Sequence, residues 1–186
     1  MNTKNYQKFK DAIYKRSLEN EQAFYLLSKQ KLYTLIGVII RLELDSLMRF
    51  CYLESLEDDE EKDLLINQFL DGKRWELEKG FVTDRKMVEH MTNTLMLGWA
   101  LHIYDIGCAF VHLSPYHDWA INEPTRNLTI EQRQNIASNV NEHVRCGLYK
   151  KYNKTMKESF DFNDLVEISE DVFCKLKDNL RYELKI

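Results

Sequence analysis

Apolar residues in this chain recur at three- and four-residue steps almost throughout, the spacing of helices that bury one face. Tyr6, Phe9, Ile13, Phe24 and Leu27 predict a first helix over roughly 3–29. Leu32, Leu35, Ile39, Leu42 and Phe50 predict a second over about 31–54. Ser55-Leu-Glu-Asp58 reads as a capping-box-like start for a shorter helix ending near Gly72, and 73–80 as a further helical turn closed by Gly80. Thr83 and Asp84 suit the start of a long helix placed at 84–113, the most apolar of the set, with Met87, Met91, Leu95, Ala100, Ile106 and Phe110. The run 114–127 carries both prolines and reads as a loop, and Thr129-Ile-Glu-Gln132 opens a helix of roughly 130–157. Leu165, Ile168, Val172, Leu176 and Leu180 give the last helix, about 164–182, the cleanest period. The fold expected is all-α: one domain over 1–186, an antiparallel bundle of four to six helices with the second and fifth segments deepest.

Composition agrees with the pattern. Six glycines and two prolines among 186 residues are too few for a sandwich or barrel built on tight turns. The formal charge of -4 argues against a general nucleic-acid coat, which needs a concentrated positive field. That charge is unevenly spread, with EDDEE at Glu57–Glu61 and a basic stretch holding Arg145, Lys150, Lys151, Lys154 and Lys157. Cys51, Cys108, Cys146 and Cys174 are far apart and include no C-x-x-C pair, so free thiols are expected. The first residues lack a hydrophobic signal core, and the most apolar run, 32–53, is interrupted by Arg41, Glu43, Asp45 and Arg49. A cytoplasmic protein without a membrane span is the expectation.

Chemistry-bearing side chains gather where the most apolar helix leaves the core. The stretch from His102 to Trp119 holds three of the five histidines. His102, Asp105, Ala109 and His112 fall on one helical face, and His117 follows in the adjoining loop. Imidazole with carboxylate can shuttle protons or polarise a phosphate, or simply satisfy backbone carbonyls in a packed core. The spacing matches no metal-ligand signature, and the E-x-x-H pairs of a di-iron bundle are missing, so neither a metal nor another cofactor is expected. Arg41, Asp45 and Arg49 form a second stripe, where two i,i+4 ion pairs are geometrically possible. Such a stripe pairs internally, or else presents arginine to a phosphate or carboxylate. Arg85 and His90 make an R-x4-H pair near a helix start, although five helical positions separate them by about 140 degrees. Nucleophile-elbow, Walker and G-x-G-x-x-G sequences are absent.

Arg41-Leu-Glu43 in an apolar helix, followed by Val111-His-Leu-Ser-Pro-Tyr-His117 after a later one, resembles bacterial HEPN-like proteins over roughly 32–120. The resemblance implies a helical bundle, commonly a homodimer. Many members are metal-independent RNA endonucleases of defence or toxin–antitoxin systems with an R-x(4–6)-H motif, and others are inactive binding modules. On that likeness Arg85 and His90 take the motif positions, with Lys86 where an asparagine-like residue often stands. Two functions follow as expectations. One is RNA cleavage, with Arg85 and His90, or His112 and His117, at the cleft. The other is a non-catalytic module binding a partner helix or a small ligand, with Arg41, Asp45, His102 and Asp105 as contacts.

Overall fold

The computed structural model describes residues 2–94, 98–112, 129–131 and 162–186. Among these residues it is an all-α helical bundle with one short hairpin. The helices are α1 (Thr3–Lys29), α2 (Tyr33–Ser55), α3 (Asp59–Leu70), α4 (Asp84–Thr94), α5 (Gly98–Val111) and α6 (Phe162–Leu184). Strands β1 (Glu76–Leu77) and β2 (Gly80–Phe81) lie between α3 and α4.

Asn2 starts α1 by accepting from the backbone N–H groups of Lys4 and Asn5 at 3.2 Å, which satisfies two otherwise orphaned donors. The helix buries Phe9, Ile13, Ser17, Asn20 and Phe24 on one stripe. It turns into α2 through Lys31, at φ 58. That second helix is the hub, packed against α1, α4, α5 and α6. Being surrounded explains why thirteen of its residues are buried, Arg41, Glu43 and Asp45 included. It also corrects the predicted face: Leu32 and Leu35 project at the exposed end, while Ile36, Ile40, Leu44, Leu47 and Cys51 carry the packing. The buried Glu43 carboxylate accepts from Ser17 Oγ at 2.5 Å and Asn20 Nδ2 at 2.8 Å, so α1 supplies the donors that the core lacks.

The aromatic centre joins Phe9 to Phe69 edge-on at 5.0 Å and to Trp75 at 6.0 Å. At the other end Phe24 of α1 stacks on Phe173 of α6 at 4.2 Å, and Glu21 accepts from Lys177 and Arg181. Asp58, rather than Ser55, caps α3, because Ser55 Oγ is already bonded to the Tyr52 carbonyl.

Two further predictions are corrected. The segment 73–80 does not continue as helix. Lys73 to Val82 instead contains a hairpin with Leu77 opposite Gly80, whose φ of 98 suits a residue without a Cβ. Its buried Trp75 and Val82 replace the expected helical face, and the Gln68 side chain bonds both the N–H and carbonyl of Glu76, as a neighbouring strand would. The long helix at 84–113 is two helices folded back on each other. Arg85 Nη1 lies 2.8 Å from Asp105 Oδ1, whereas twenty residues of continuous helix would hold their backbones about 30 Å apart. Thr92, Asn93, Thr94 and Gly98 are weak helix formers at the reversal. The predicted loop at 114–127 and most of the helix at 130–157 lie outside the described residues.

Folding α5 back against α2 requires close approach at two glycines. A Cβ on Gly107 would come within 2.8 Å of the Arg41 Cβ, and one on Gly37 within 2.5 Å of the Phe110 ring. Those glycines bring the backbone of α5 up to Arg41.

An arginine-lined candidate binding cleft

Arg41 and Arg49 sit two helical turns apart on α2 and converge on one carboxylate. Asp84, at the first position of α4, accepts from Arg41 Nη2 and Arg49 Nη2, each at 2.9 Å. Asp45 accepts from Arg49 Nε at 3.0 Å and from Arg16 Nη1 of α1 at 2.7 Å. The result is an alternating chain Arg16–Asp45–Arg49–Asp84–Arg41 across three helices. Of the two i,i+4 pairs allowed by the sequence only Asp45–Arg49 forms; Arg41 takes Asp84 instead.

Burial alone would raise the Asp45 carboxyl, but the Arg49 and Arg16 guanidiniums outweigh it and hold the group below the usual carboxylate range. For Arg41, burial opposes the charge, and the Cys108 thiol with Asp45 and Asp84 more than offsets it. The Arg41 guanidinium also lies 4.4 Å from the Tyr104 ring centre, and Arg49 lies 5.5 Å from that of Trp75.

A cleft with two lobes opens beside this chain. The larger, about 670 Å³, is walled by Arg16, Asp45 and Arg49, by the hairpin with Arg74, Trp75 and Phe81, and by Asp84, Arg85 and Tyr104. The smaller, about 300 Å³, shares Arg16, Asp45, Arg49, Asp84 and Tyr104 with it and extends to Arg41, Cys108 and His112. The larger lobe has five basic side chains (Arg16, Arg49, Lys73, Arg74, Arg85) against two acidic ones (Asp45, Asp84), on a chain whose total charge is -4. Arg85 is partly neutralised by Glu89 and Asp105, and Lys73 by Asp71. Arg74 has no carboxylate partner among the described residues and rests its guanidinium 5.5 Å from the Phe81 ring centre. Trp75, only 3% exposed, has an indole N–H with no hydrogen-bond acceptor. A buried donor left in that state costs about 1–3 kcal/mol.

The predicted residues divide unevenly around this cleft. Arg41, Asp45, Arg85 and His112 line it, and Asp105 reaches its rim through Arg85. His90 does not join Arg85. Its ring meets Tyr52 edge-on at 5.4 Å, because α4 is regular and turns the two side chains apart. His102 lies half-buried away from the lobe walls, where burial lowers its basicity against the opposing pull of Asp105. His117 falls outside the described residues. Among the described residues no group of three or more His, Cys, Asp or Glu side chains is placed to hold a metal ion.

Arg16, Asp84, Arg74, Trp75, Phe81 and Tyr104 were not singled out as site residues by the sequence. Lys73-Arg74-Trp75 was a legible basic–aromatic signal. Arg16 was not, since it sits on the polar flank of an ordinary amphipathic helix. No protein-family model, curated protein or solved structure matches the chain.

Proposed function

We propose that this protein is a HEPN-like helical binding module whose arginine-lined cleft takes a phosphate-bearing ligand, with RNA as the ligand class that the resemblance implies. The carrying observation is a lobe lined by five guanidinium and ammonium groups, of which exposed Arg74 has no carboxylate partner among the described residues. Guanidinium presents several N–H donors in one plane and suits phosphate oxygens. Arg16, Arg49 and Arg41 remain fixed by Asp45 and Asp84, so the cations are held in place before a ligand arrives. The same reading takes the chain as a cytoplasmic homodimer. No described helix is long and apolar enough to cross a membrane.

Calorimetric titration with inorganic tripolyphosphate at low salt tests the reading. Wild type binds, binding weakens as salt rises, and Arg74→Ala weakens it further. Failure of tripolyphosphate and single-stranded RNA alike to bind at low salt sinks it.

A second reading, metal-independent RNA cleavage, is favoured by one observation: His112 shares the smaller lobe with Arg16, Arg41 and Arg49. There the imidazole would take the ribose 2′-hydroxyl proton while arginine offsets charge on the phosphorane. Labelled RNA incubated with EDTA decides it. Cleavage abolished by His112→Ala but retained in His90→Ala supports this reading, and intact RNA in every sample leaves the binding module alone.

A further inference from the structure

Phe81 is an anomaly of the hairpin. In a two-residue strand, its neighbour Val82 is buried while Phe81 is 49% exposed, facing the larger lobe instead of the core. Across the hairpin Trp75 is buried and Arg74 is exposed, so the outward positions bring the Arg74 guanidinium over the Phe81 ring. The hairpin thus presents an exposed phenyl ring on the cleft wall with a guanidinium 5.5 Å from its centre, in the same lobe as Arg49 and Arg16. Arg74 spends no charge on a carboxylate among the described residues, which leaves its plane available to a ligand.

We infer that the exposed Phe81 ring, with Arg74 beside it, is a platform for the planar base of a nucleotide whose phosphates lie against Arg16 and Arg49. The inference rests on the phosphate-binding reading and adds the ligand's ring. Bases stack on aromatic side chains and on arginine planes alike, and this contact is tolerant of base identity. An anion without a ring would use the cations alone. A nucleotide would also lay its base against the Phe81 ring beside the Arg74 guanidinium. A free nucleoside polyphosphate and one residue of a single strand share this chemistry.

The test compares affinities for tripolyphosphate, ATP and a short single-stranded oligoribonucleotide, with thermal melts verifying that each variant is folded. ATP is expected to bind about tenfold tighter than tripolyphosphate, the effect of one base stack. Phe81→Ala brings that ratio close to one, and Phe81→Trp restores it. Arg74→Lys keeps the charge but loses the plane, so it weakens ATP several-fold more than tripolyphosphate. Tighter binding of ATP than of the oligonucleotide assigns the site to free nucleotides, and the reverse order assigns it to a strand; both support the platform. Equal affinity of wild type for ATP and tripolyphosphate overturns the platform and leaves phosphate binding standing. Absence of binding by all three ligands overturns both.

Discussion

Asp45 shows how one carboxylate decides local stability. It is buried and accepts from two guanidiniums, so its removal leaves Arg16 and Arg49 without their shared counter-charge. Asp45→Asn should lower unfolding stability by about 1–3 kcal/mol, the range for losing charged hydrogen bonds in a part-buried network, read by urea denaturation. The pH dependence has a definite sign. The folded carboxyl is held below its unfolded value, so the unfolded chain binds the proton more readily. Its contribution is therefore full above the unfolded value and drains away as pH falls through the folded one. Wild type should lose stability on acidification more steeply than Asp45→Asn, and parallel acid limbs would contradict that assignment. Glu21 acts in the same direction, its carboxyl lowered chiefly by the hydrogen bond from Lys177. Cys51 is the opposite case: burial pushes its thiol up to about 12, and it should resist alkylation at neutral pH in the folded protein.

Between elements, the contact of α2 with α5 depends on what is missing from two side chains. Alanine is intrinsically better than glycine in a helix by about 1 kcal/mol. Steric contact reverses that preference here, because the atoms in the way are the Cβ of buried Arg41 and the buried Phe110 ring. Gly37→Ala and Gly107→Ala should each destabilise by roughly 1–3 kcal/mol in denaturant titrations, and a gain in stability for either would refute the close packing. Gly107→Ala should in addition weaken ligand binding, since it displaces Arg41. The hairpin shows why legibility fell short at this scale. Trp75, Leu77 and Val82 gave no clean two-residue alternation, and a strand of two residues is too short for periodicity to register. Its shape is set by tertiary partners, the Gln68 amide on one side and the core around Trp75 on the other. The reversal between α4 and α5 was hidden for a different reason. Apolar spacing continued across it, and only weak formers at Thr92–Thr94 and Gly98 marked the place.

In the whole molecule the cleft is a product of assembly. Its walls come from α1, α2, the hairpin, α4 and α5, and no single element holds more than a few of its cations. A ligand bound at a hundred times its dissociation constant should raise unfolding stability by about 2.7 kcal/mol, visible as a higher Tm in tripolyphosphate. Phe24→Ala, remote from the cleft, removes the stack that ties α1 to α6 and should cost about 3–5 kcal/mol while leaving tripolyphosphate affinity nearly intact.

By itself the sequence determined the helical class, the bounds of α1, the burial of α2 and the period of α6, because apolar spacing along a helix is a local property. It also placed Arg41, Asp45 and Arg49 on one stripe. Which carboxylate each arginine takes was decided by tertiary structure alone. Asp84 meets Arg41 and Arg49 from another helix, and Asp105 meets Arg85 only because α5 folds back. Ion pairing depends on distance in space, which residue spacing encodes within a helix and not between helices. The separation of His90 from Arg85 needed both levels, since helical pitch turns the two apart and packing against Tyr52 fixes where the histidine ends.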